Sequence, residues 1–335
     1  MSILRIGIIG VGYMARKHHI PSLQQVEGAQ IVATCDLRED RVLPGVNSYH
    51  DVREMLAHER LDVLYVLTPP GAHLEPVCLG LDHGCHVFCE MPPALEPWES
   101  AQMATFAREA KRSLMFGANR HFAPTYQRIK EIASSEPPKM TVLTKCRHGL
   151  HDLTDDFLQA LETHYAQRHA MEGTPMFLGI AQFLEVAEWL NGPILDCQST
   201  SSALRPAMQT NTQTVAYLQH EDGARSMITY DEFGPQPNEH VTVHSSASTY
   251  IVRGSMMQPN ELLVWASDGH RTYPAPVDPQ ERGGFLNQTQ QFLHHVRQET
   301  PLYPDGTQLA RLVHLARRID GSGWWKTRAA EPEAD

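Results

Sequence analysis

Three small residues near the start of the chain have the spacing of a phosphate-binding turn. Gly10, Gly12 and Ala15 form the pattern G-x-G-x-x-A directly after an apolar run. Gly10 permits a tight turn, Gly12 lets a pyrophosphate approach the backbone, and Ala15 keeps the following helix close to the preceding strand. Tyr13 and Met14 begin that helix, whose first N–H groups and partial positive charge attract phosphates. The pattern predicts a dinucleotide site.

A carboxylate further along the chain indicates which dinucleotide would bind. Asp36 follows the next apolar run, 24 residues after Gly12. An acid in this position binds the ribose hydroxyls of adenosine and repels the extra phosphate of NADP. We therefore expect NAD, with Leu37 and Arg38 beside the ribose, and NADP less readily. Arg38 weakens that preference, and an acid that only caps the next turn is the alternative.

The elements that must position these residues alternate between strand and helix patterns. Strands are predicted at Leu4–Ile9, Gln30–Cys35, Leu61–Leu67, His86–Cys89 and Leu114–Gly117, and helices at Tyr13–Gln25, Val52–His58 (capped by Asp51), Leu74–His83 and Glu96–Arg112. Such alternation predicts a doubly wound parallel sheet, the Rossmann arrangement. Ligands of these sheets lie at the carboxyl ends of the strands. The further cofactor-binding candidates at those ends are Thr68, Pro69, His73, Glu90, Met91, Asn119 and Arg120.

The second half of the chain has a different pattern. Strands are predicted at Met140–Cys146, Gln213–His220, Ala224–Tyr230, His240–His244, Tyr250–Arg253, Leu262–Ala266 and His270–Tyr273, and helices at Met176–Leu190, Phe285–Gln298 and Gln308–Ile319. Tight turns between neighbouring strands predict an open, mainly antiparallel sheet. The fold class is therefore α/β, with a dinucleotide-binding domain at 1–122 and an α+β domain at 123–325. The last helix is expected to pack back on the first domain, and 326–335 is a tail.

Composition excludes several classes of protein. The formal net charge is −11, from 28 Lys and Arg against 39 Asp and Glu, so a nucleic-acid partner is not expected. No apolar run reaches the length of a membrane span. The six cysteines have no zinc-site spacing, and no metal site is predicted. We expect a cytoplasmic protein.

The motifs in combination resemble the Gfo/Idh/MocA family of NAD(P)-dependent sugar and cyclitol oxidoreductases. The resemblance rests on the glycine turn, Thr68-Pro69-Pro70 with His73, Glu90-Met91-Pro92, and Asn119-Arg120-His121-Phe122-Ala123-Pro124. The last motif and Arg282–Phe285 are similar to the MviM-like branch of the family. The resemblance implies a small-molecule substrate and a homodimer or homotetramer formed through the second sheet.

Three positions depart from that family. Met91 stands where its members usually have a lysine, and Leu178 and Gln182 align with an aspartate and a histidine. None of these three side chains exchanges a proton usefully at neutral pH. The usual proton-handling groups are therefore absent, unless the alignment near Gly173 is shifted and His164 or His169 serves as the base.

The remaining candidates for catalysis are His121, Tyr126 and Gln182. Imidazole and phenol donate protons, which is enough when hydride goes to an already electrophilic carbon. The sequence thus favours an NAD(P)-dependent oxidoreductase that reduces an activated C=N or C=X bond, or that acts on a small polar sugar-like or biosynthetic intermediate. The alternatives are a catalytically degenerate dinucleotide-binding protein, acting as a sensor or partner, and a cofactor-using lyase or isomerase.

Overall fold

A computed structural model describes residues 3–149, 154, 156, 159–160, 163, 171–203, 210–234, 238–255, 258–298, 300, 302 and 305–321. The chain divides into two units. The first comprises Met1–Ala118 with Gly284–Val313, and the second comprises Asn119–Gly283 with His314–Asp335.

The first unit is built on a six-stranded sheet. Its strands are β1 (Leu4–Ile9), β2 (Ala29–Cys35), β3 (Asn47–Tyr49), β4 (Val63–Val66), β5 (His86–Cys89) and β6 (Leu114–Phe116). They are all parallel, in the order β3-β2-β1-β4-β5-β6. The order reverses direction at β1, and this places the topological switch point beside the glycine turn. The doubly wound sheet predicted from the sequence is confirmed.

Helices cover both faces of this sheet. They are a π-helical turn at Ala15–His19 that leads into α1 (Ile20–Gln24), α2 (Val52–His58), α3 (Leu74–Asp82), α4 (Pro97–Ala110) and, from the late part of the chain, α8 (Phe285–Arg297). One apolar core packs α2, α3 and α4 on one face of the sheet, and a second packs α1 and α8 on the other. Asp51 caps α2 as predicted, accepting bonds from the backbone N–H groups of Arg53 and Glu54.

The first helix was expected to be regular and instead begins with a wider turn. The N–H of Ile20 donates to the carbonyl of Ala15, five residues earlier. Pro21 follows at once, and its ring has no N–H and clashes with the carbonyl four residues before it. A widened turn avoids that clash, and π-turns of this kind are frequent at functional sites.

The second unit contains an eight-stranded sheet in the order β14-β13-β12-β11-β7-β10-β9-β8. Its strands are β7 (Met140–Gly149), β8 (Ile194–Ser202), β9 (Gln213–His220), β10 (Arg225–Gly234), β11 (Asn238–His244), β12 (Ser248–Ser255), β13 (Gln258–Ala266) and β14 (Gly269–Pro274). Only the β7–β10 pair is parallel among these described ladders. The mainly antiparallel sheet is confirmed, and β8 is an addition, because its polar residues gave no strand pattern.

Two helices of the second unit matter for the site. These are α5 (Pro124–Ala133) and α6 (Pro175–Asn191), with the short α7 (Pro279–Arg282) ahead of α8. The last helix, α9 (Gly306–Asp320), begins in the first unit and ends in the second. Among the described residues, no helix has the length and apolar character needed to cross a bilayer.

Candidate functional site: a dinucleotide turn and a polar helix stripe

The two glycines of the turn serve different purposes. Gly10 has φ +89°, and a Cβ there would lie 2.8 Å from the backbone carbonyl of Leu67. The chain itself therefore requires glycine at this position. A Cβ on Gly12 would meet only the guanidinium of Arg41, at 3.6 Å. Packing within the chain does not explain Gly12, but the close approach of a phosphate group would.

The start of the first helix is arranged as a phosphate site requires. Ala15 is fully buried against the sheet, whereas Tyr13 is 66% exposed. No side chain caps the N-terminal end of the π-helical turn. Arg16 holds the loop instead, because its guanidinium donates to the carbonyls of Val11 and Val42. The first N–H groups of the helix thus lack a side-chain acceptor, which leaves them suited to an anion.

Asp36 lies at the end of β2, in contact with the glycine turn. Its Oδ2 accepts a 2.8 Å hydrogen bond from the N–H of Val11, and its Oδ1 accepts a 3.0 Å bond from the N–H of Arg38. The side chain of Leu37 next to it is 90% exposed. A carboxylate fixed at the strand end beside an exposed apolar side chain fits an adenosine ribose and its base.

Arg38 points away from the ribose position, and a second arginine takes its place. The guanidinium of Arg38 forms a two-pronged contact with Asp40, at 2.9 and 2.7 Å. Arg41 instead lies 3.5 Å from Oδ2 of Asp36, close to Gly12. Arg41 was not among the residues singled out from the sequence. Its spacing of five residues from Asp36, within one loop, was the available signal.

His73 was predicted to bind the cofactor, and the structure places it in the interior. The ring is fully buried, with Nε2 2.7 Å from the carbonyl of Thr68 and Nδ1 2.9 Å from the carbonyl of Pro93. Burial lowers the pKa of His73. Its position joins the loop after β4, which contains Thr68 and Pro69, to the loop after β5. His73 therefore holds these two loops together.

Glu90, at the end of β5, is the central charged group of this edge. Its Oε1 lies 2.7 Å from Nε2 of His19, and its Oε2 accepts a 2.7 Å bond from the N–H of Met91. Burial alone would raise the pKa of Glu90, but the hydrogen bond and charge of His19 outweigh it and hold that pKa below its usual value. A Cβ on Gly117 would lie 2.8 Å from Oε2, so the glycine makes room for the carboxylate. Glu90 is an ionised carboxylate beside the thioether of Met91.

The residues of the first unit therefore fit a dinucleotide. The open cradle at Gly12, the uncapped helix start and the fixed Asp36 match the requirements of a pyrophosphate and a ribose. No group of three or more His, Cys, Asp or Glu side chains is placed to hold a metal ion within the part of the chain that the structure describes.

In the second unit, the segment Asn119–Phe122 is fastened by side chains distant in sequence. The amide of Asn119 donates to the carbonyl of Gly283 at 2.7 Å. Arg120 is buried, and its Nη2 donates to Oε1 of Gln182 at 3.0 Å. Because a guanidinium only donates, this contact fixes the amide of Gln182 with its oxygen toward Arg120. The NH₂ group of Gln182 is then directed elsewhere.

Helix α6 presents one polar stripe on an otherwise buried surface. Thr174 caps the helix, its hydroxyl accepting from the N–H of Phe177. Four half-buried side chains follow the helical repeat, at Leu178, Gln182, Glu185 and Trp189, while most of their neighbours are buried. Leu178 and Gln182 thus share one face, as the proposed alignment requires.

His121 packs on the far end of this stripe. Its ring stacks on Trp189 with 4.3 Å between centroids, and its Nε2 lies 2.5 Å from Oε1 of Glu185. The side chain of Gln127 donates to its backbone carbonyl. Glu185 and Trp189 were not singled out from the sequence, although their spacing from Gln182 follows the helical repeat.

Tyr126, the second titratable candidate, lies inside the second unit. It is 1% exposed, and burial raises its pKa. A phenol without solvent access is a poor proton donor to a substrate, so its placement gives the predicted role no support.

A separate charged cluster lies where β7 and β10 end. Glu232 is buried, accepts a 2.5 Å bond from the hydroxyl of Tyr230, and lies 3.5 Å from both Arg147 and His148. Tyr230 also packs against Gly179, where a Cβ would approach its ring to 2.6 Å. His164 and His169, the alternative bases, lie outside the described residues.

Comparison with known proteins agrees with this geometry. Residues 4–118 match the family described as "Oxidoreductase family, NAD-binding Rossmann fold", the Gfo/Idh/MocA family. D-glucoside 3-dehydrogenase of Escherichia coli (strain K12) is 32% identical over 134 residues, which are 38% of this chain and 38% of that protein. The chain spans less than two thirds of the length of the curated relatives it matches.

Solved structures share the fold along almost the whole chain. Myo-inositol 2-dehydrogenase from Lactobacillus plantarum has a TM-score of 0.78 and 17% identity, covering 96% of this chain and 97% of that one. An oxidoreductase from Agrobacterium radiobacter, in complex with NAD+, L-tartaric acid and magnesium, has a TM-score of 0.76 and 17% identity, covering 96% and 97%. Residues 4–118 therefore form an NAD-binding Rossmann domain of the Gfo/Idh/MocA oxidoreductase family.

Proposed function

We propose that this member of the Gfo/Idh/MocA family is an NAD(H)-dependent oxidoreductase that reduces an activated C=N or C=X bond of a small polar molecule. The observation that carries the proposal is the contrast at the end of β5. Glu90 contacts His19 and the backbone N–H of Met91, while the side chain of Met91 offers no proton. Oxidation of a plain alcohol needs a base near the hydroxyl, whereas reduction of an electrophilic carbon needs only a weak acid.

The cofactor would be held by the first unit. Gly12 and the start of the helix would bind the pyrophosphate, Asp36 and Leu37 the adenosine, and the loops after β4 and β5 the nicotinamide. NADH supplies a hydride when bound. Asp36 repels an additional 2′-phosphate and favours NAD over NADP, with Arg41 as the cation that moderates this preference.

The groups that meet the substrate belong to the second unit. Gln182, turned by Arg120, offers an N–H donor to an acceptor nitrogen or oxygen of the substrate. His121 is the proton donor we favour, because its ring is half-buried and held by Glu185, while Tyr126 is buried.

The test combines binding with turnover. NADH binding is measured by fluorescence, and its consumption is followed with a panel of cyclic imines, enones and sugar ketones. We expect binding and measurable reduction of at least one imine or enone. Robust oxidation of an unactivated sugar alcohol would contradict the proposal, and tight binding without any turnover would favour the non-catalytic alternative.

We also propose that the outer face of the second sheet joins two or four copies of the chain. Tyr217 and Val215 on β9 alternate outward and are 42% and 46% exposed, and Trp265 on β13 is 50% exposed. Apolar side chains on one sheet face require a cover. Sedimentation of Tyr217→Glu should show monomers where the wild type shows dimers or tetramers. A monomeric wild type would contradict the proposal.

A further inference from the structure

The carboxylate of Glu90 has no cationic side chain of Lys or Arg against it within the described residues. Its ion pair is with the imidazole of His19, and its other bond comes from the backbone N–H of Met91. His73 is the other titratable group near enough to favour its charge. Met91 contributes only a thioether, which carries no charge. The end of β5 thus has a carboxylate without the permanent cation that a lysine at 91 would have supplied.

The order of strands places this charge on one particular half of the dinucleotide. The sheet reverses at β1, with β2 and β3 on one side and β4, β5 and β6 on the other. Asp36 marks the β2 side as the adenosine half. A dinucleotide that crosses the switch point therefore extends its second half over the ends of β4 and β5, where Glu90 lies.

We infer that Glu90 makes this site select the oxidation state of the cofactor, binding NAD+ more tightly than NADH. The inference rests on the proposed function. The nicotinamide ring is cationic in NAD+ and neutral in NADH, while the rest of the molecule has the same charge. A carboxylate held by an imidazole and a backbone N–H, with no lysine or arginine against it among the described residues, attracts the cationic ring more strongly than the neutral one, and screening in this half-buried position is weaker than at the surface.

This selectivity has a consequence for the direction of the reaction. A protein that binds the oxidised cofactor more tightly shifts the equilibrium between its own complexes toward NAD+ and reduced substrate. The site then assists the transfer of hydride out of the cofactor. Met91 contributes to the same selectivity, because a lysine there would cancel the charge of Glu90.

The experiment is calorimetric titration of the full chain with NAD+ and with NADH, in separate runs and without substrate. We expect wild type to bind NAD+ about tenfold more tightly than NADH, which corresponds to about 1.4 kcal/mol. Glu90→Gln should weaken NAD+ binding about tenfold and change NADH binding less than about threefold. Glu75→Gln, at an exposed ion pair with Arg53 on α3, is the matched control and should change neither affinity.

A second variant keeps Glu90 in place, in case Glu90→Gln fails to fold. Met91→Lys adds the missing cation and should also remove the preference for NAD+. Equal affinity of wild type for both forms, or equal weakening of both by Glu90→Gln, would overturn the inference and leave the proposed function standing. Failure of wild type to bind either form would overturn both.

Discussion

The glycine turn of the first unit and the polar stripe on α6 of the second hold their functional groups by different means. At the turn, backbone groups hold the geometry, as when the N–H of Val11 binds Asp36. On the stripe, other side chains hold the polar groups: Arg120, 62 residues away, holds Gln182, and His121 contacts Glu185. A backbone site tolerates changes in most of its side chains, whereas a site of paired side chains changes its chemistry with each substitution.

The largest effect is expected from a substitution in the glycine turn. Gly12→Val should abolish NAD(H) binding, with a loss of about 100-fold or more, because the added carbons occupy the space of the pyrophosphate. The fold should survive, since a Cβ at Gly12 meets only the end of the Arg41 side chain. Calorimetry measures the loss of NAD(H) binding, and thermal unfolding shows whether the fold survives.

Gly10→Ala is the matched comparison for that experiment. Its Cβ would meet the backbone of Leu67 and occupy a left-handed conformation. It should therefore lower the free energy of unfolding by about 2 kcal/mol or more. Unchanged cofactor affinity in Gly12→Val would reduce the turn to a purely structural role.

The buried side chain of His18, in the π-helical turn after the glycine turn, makes the stability of the first unit depend on pH. His18 stacks on Phe285 at 4.2 Å, and burial lowers its pKa to about 4 from 6.5. Above pH 6.5, His18 is uncharged in both the folded and the unfolded chain. As the pH falls, the unfolded chain takes up the proton first. Stability should therefore drop between pH 6.5 and 4, by about 3 kcal/mol in total.

Urea unfolding of His18→Gln tests this pH dependence. The variant should have a flatter profile of stability against pH, while His294→Gln, an exposed histidine on α8, should follow wild type. A wild-type profile that His18→Gln leaves unchanged would show that other groups titrate in this range.

The paired-side-chain site is tested by removing one partner. Arg120→Met releases the amide of Gln182, which can then turn its oxygen toward the substrate. We expect kcat to fall about tenfold while NADH affinity stays within about twofold, because the contact is confined to the second unit. Gln182→Met in parallel should give a similar loss. Additive losses in the double variant would contradict a shared role.

A smaller effect is expected for the preference for NAD over NADP. Asp36→Asn keeps a hydrogen-bond acceptor but removes the charge that repels a phosphate. The ratio of NAD to NADP affinity should fall about tenfold. Arg38→Ala should have little effect because Arg38 pairs with Asp40, whereas Arg41→Ala should weaken whatever NADP binding exists. Tighter binding of NADP than of NAD by wild type would overturn the role given to Asp36.

The contrast between the two regions also explains what the sequence could predict. The parallel sheet and the turn depend on local patterns: apolar runs, Gly10 with its left-handed backbone, and Asp51 as a cap. The contacts of His121 with Glu185 and of Arg120 with Gln182 depend on how distant segments pack. The helical repeat from Gln182 places Glu185 and Trp189 on the same helix face, but no local pattern encodes which distant residues they contact.

Two other differences have similar physical causes. The burial of His73 follows from its two carbonyl partners, which lie on separate loops. The polar strand β8 (Ile194–Ser202) depends on pairing with β9 rather than on its own apolar residues. In both cases, tertiary partners override what the local residues suggest.

The most direct test of the account is the rate of single-turnover NADH oxidation by wild type and by Met91→Lys, with the best acceptor from the substrate panel. The new ammonium would lie near the nicotinamide ring as it becomes cationic, and at about 4 Å and an effective dielectric of about 20 the repulsion is about 4 kcal/mol. We predict that Met91→Lys is at least about tenfold slower than wild type. A faster Met91→Lys enzyme would contradict it, because methionine would then be a lost lysine and not part of the working site.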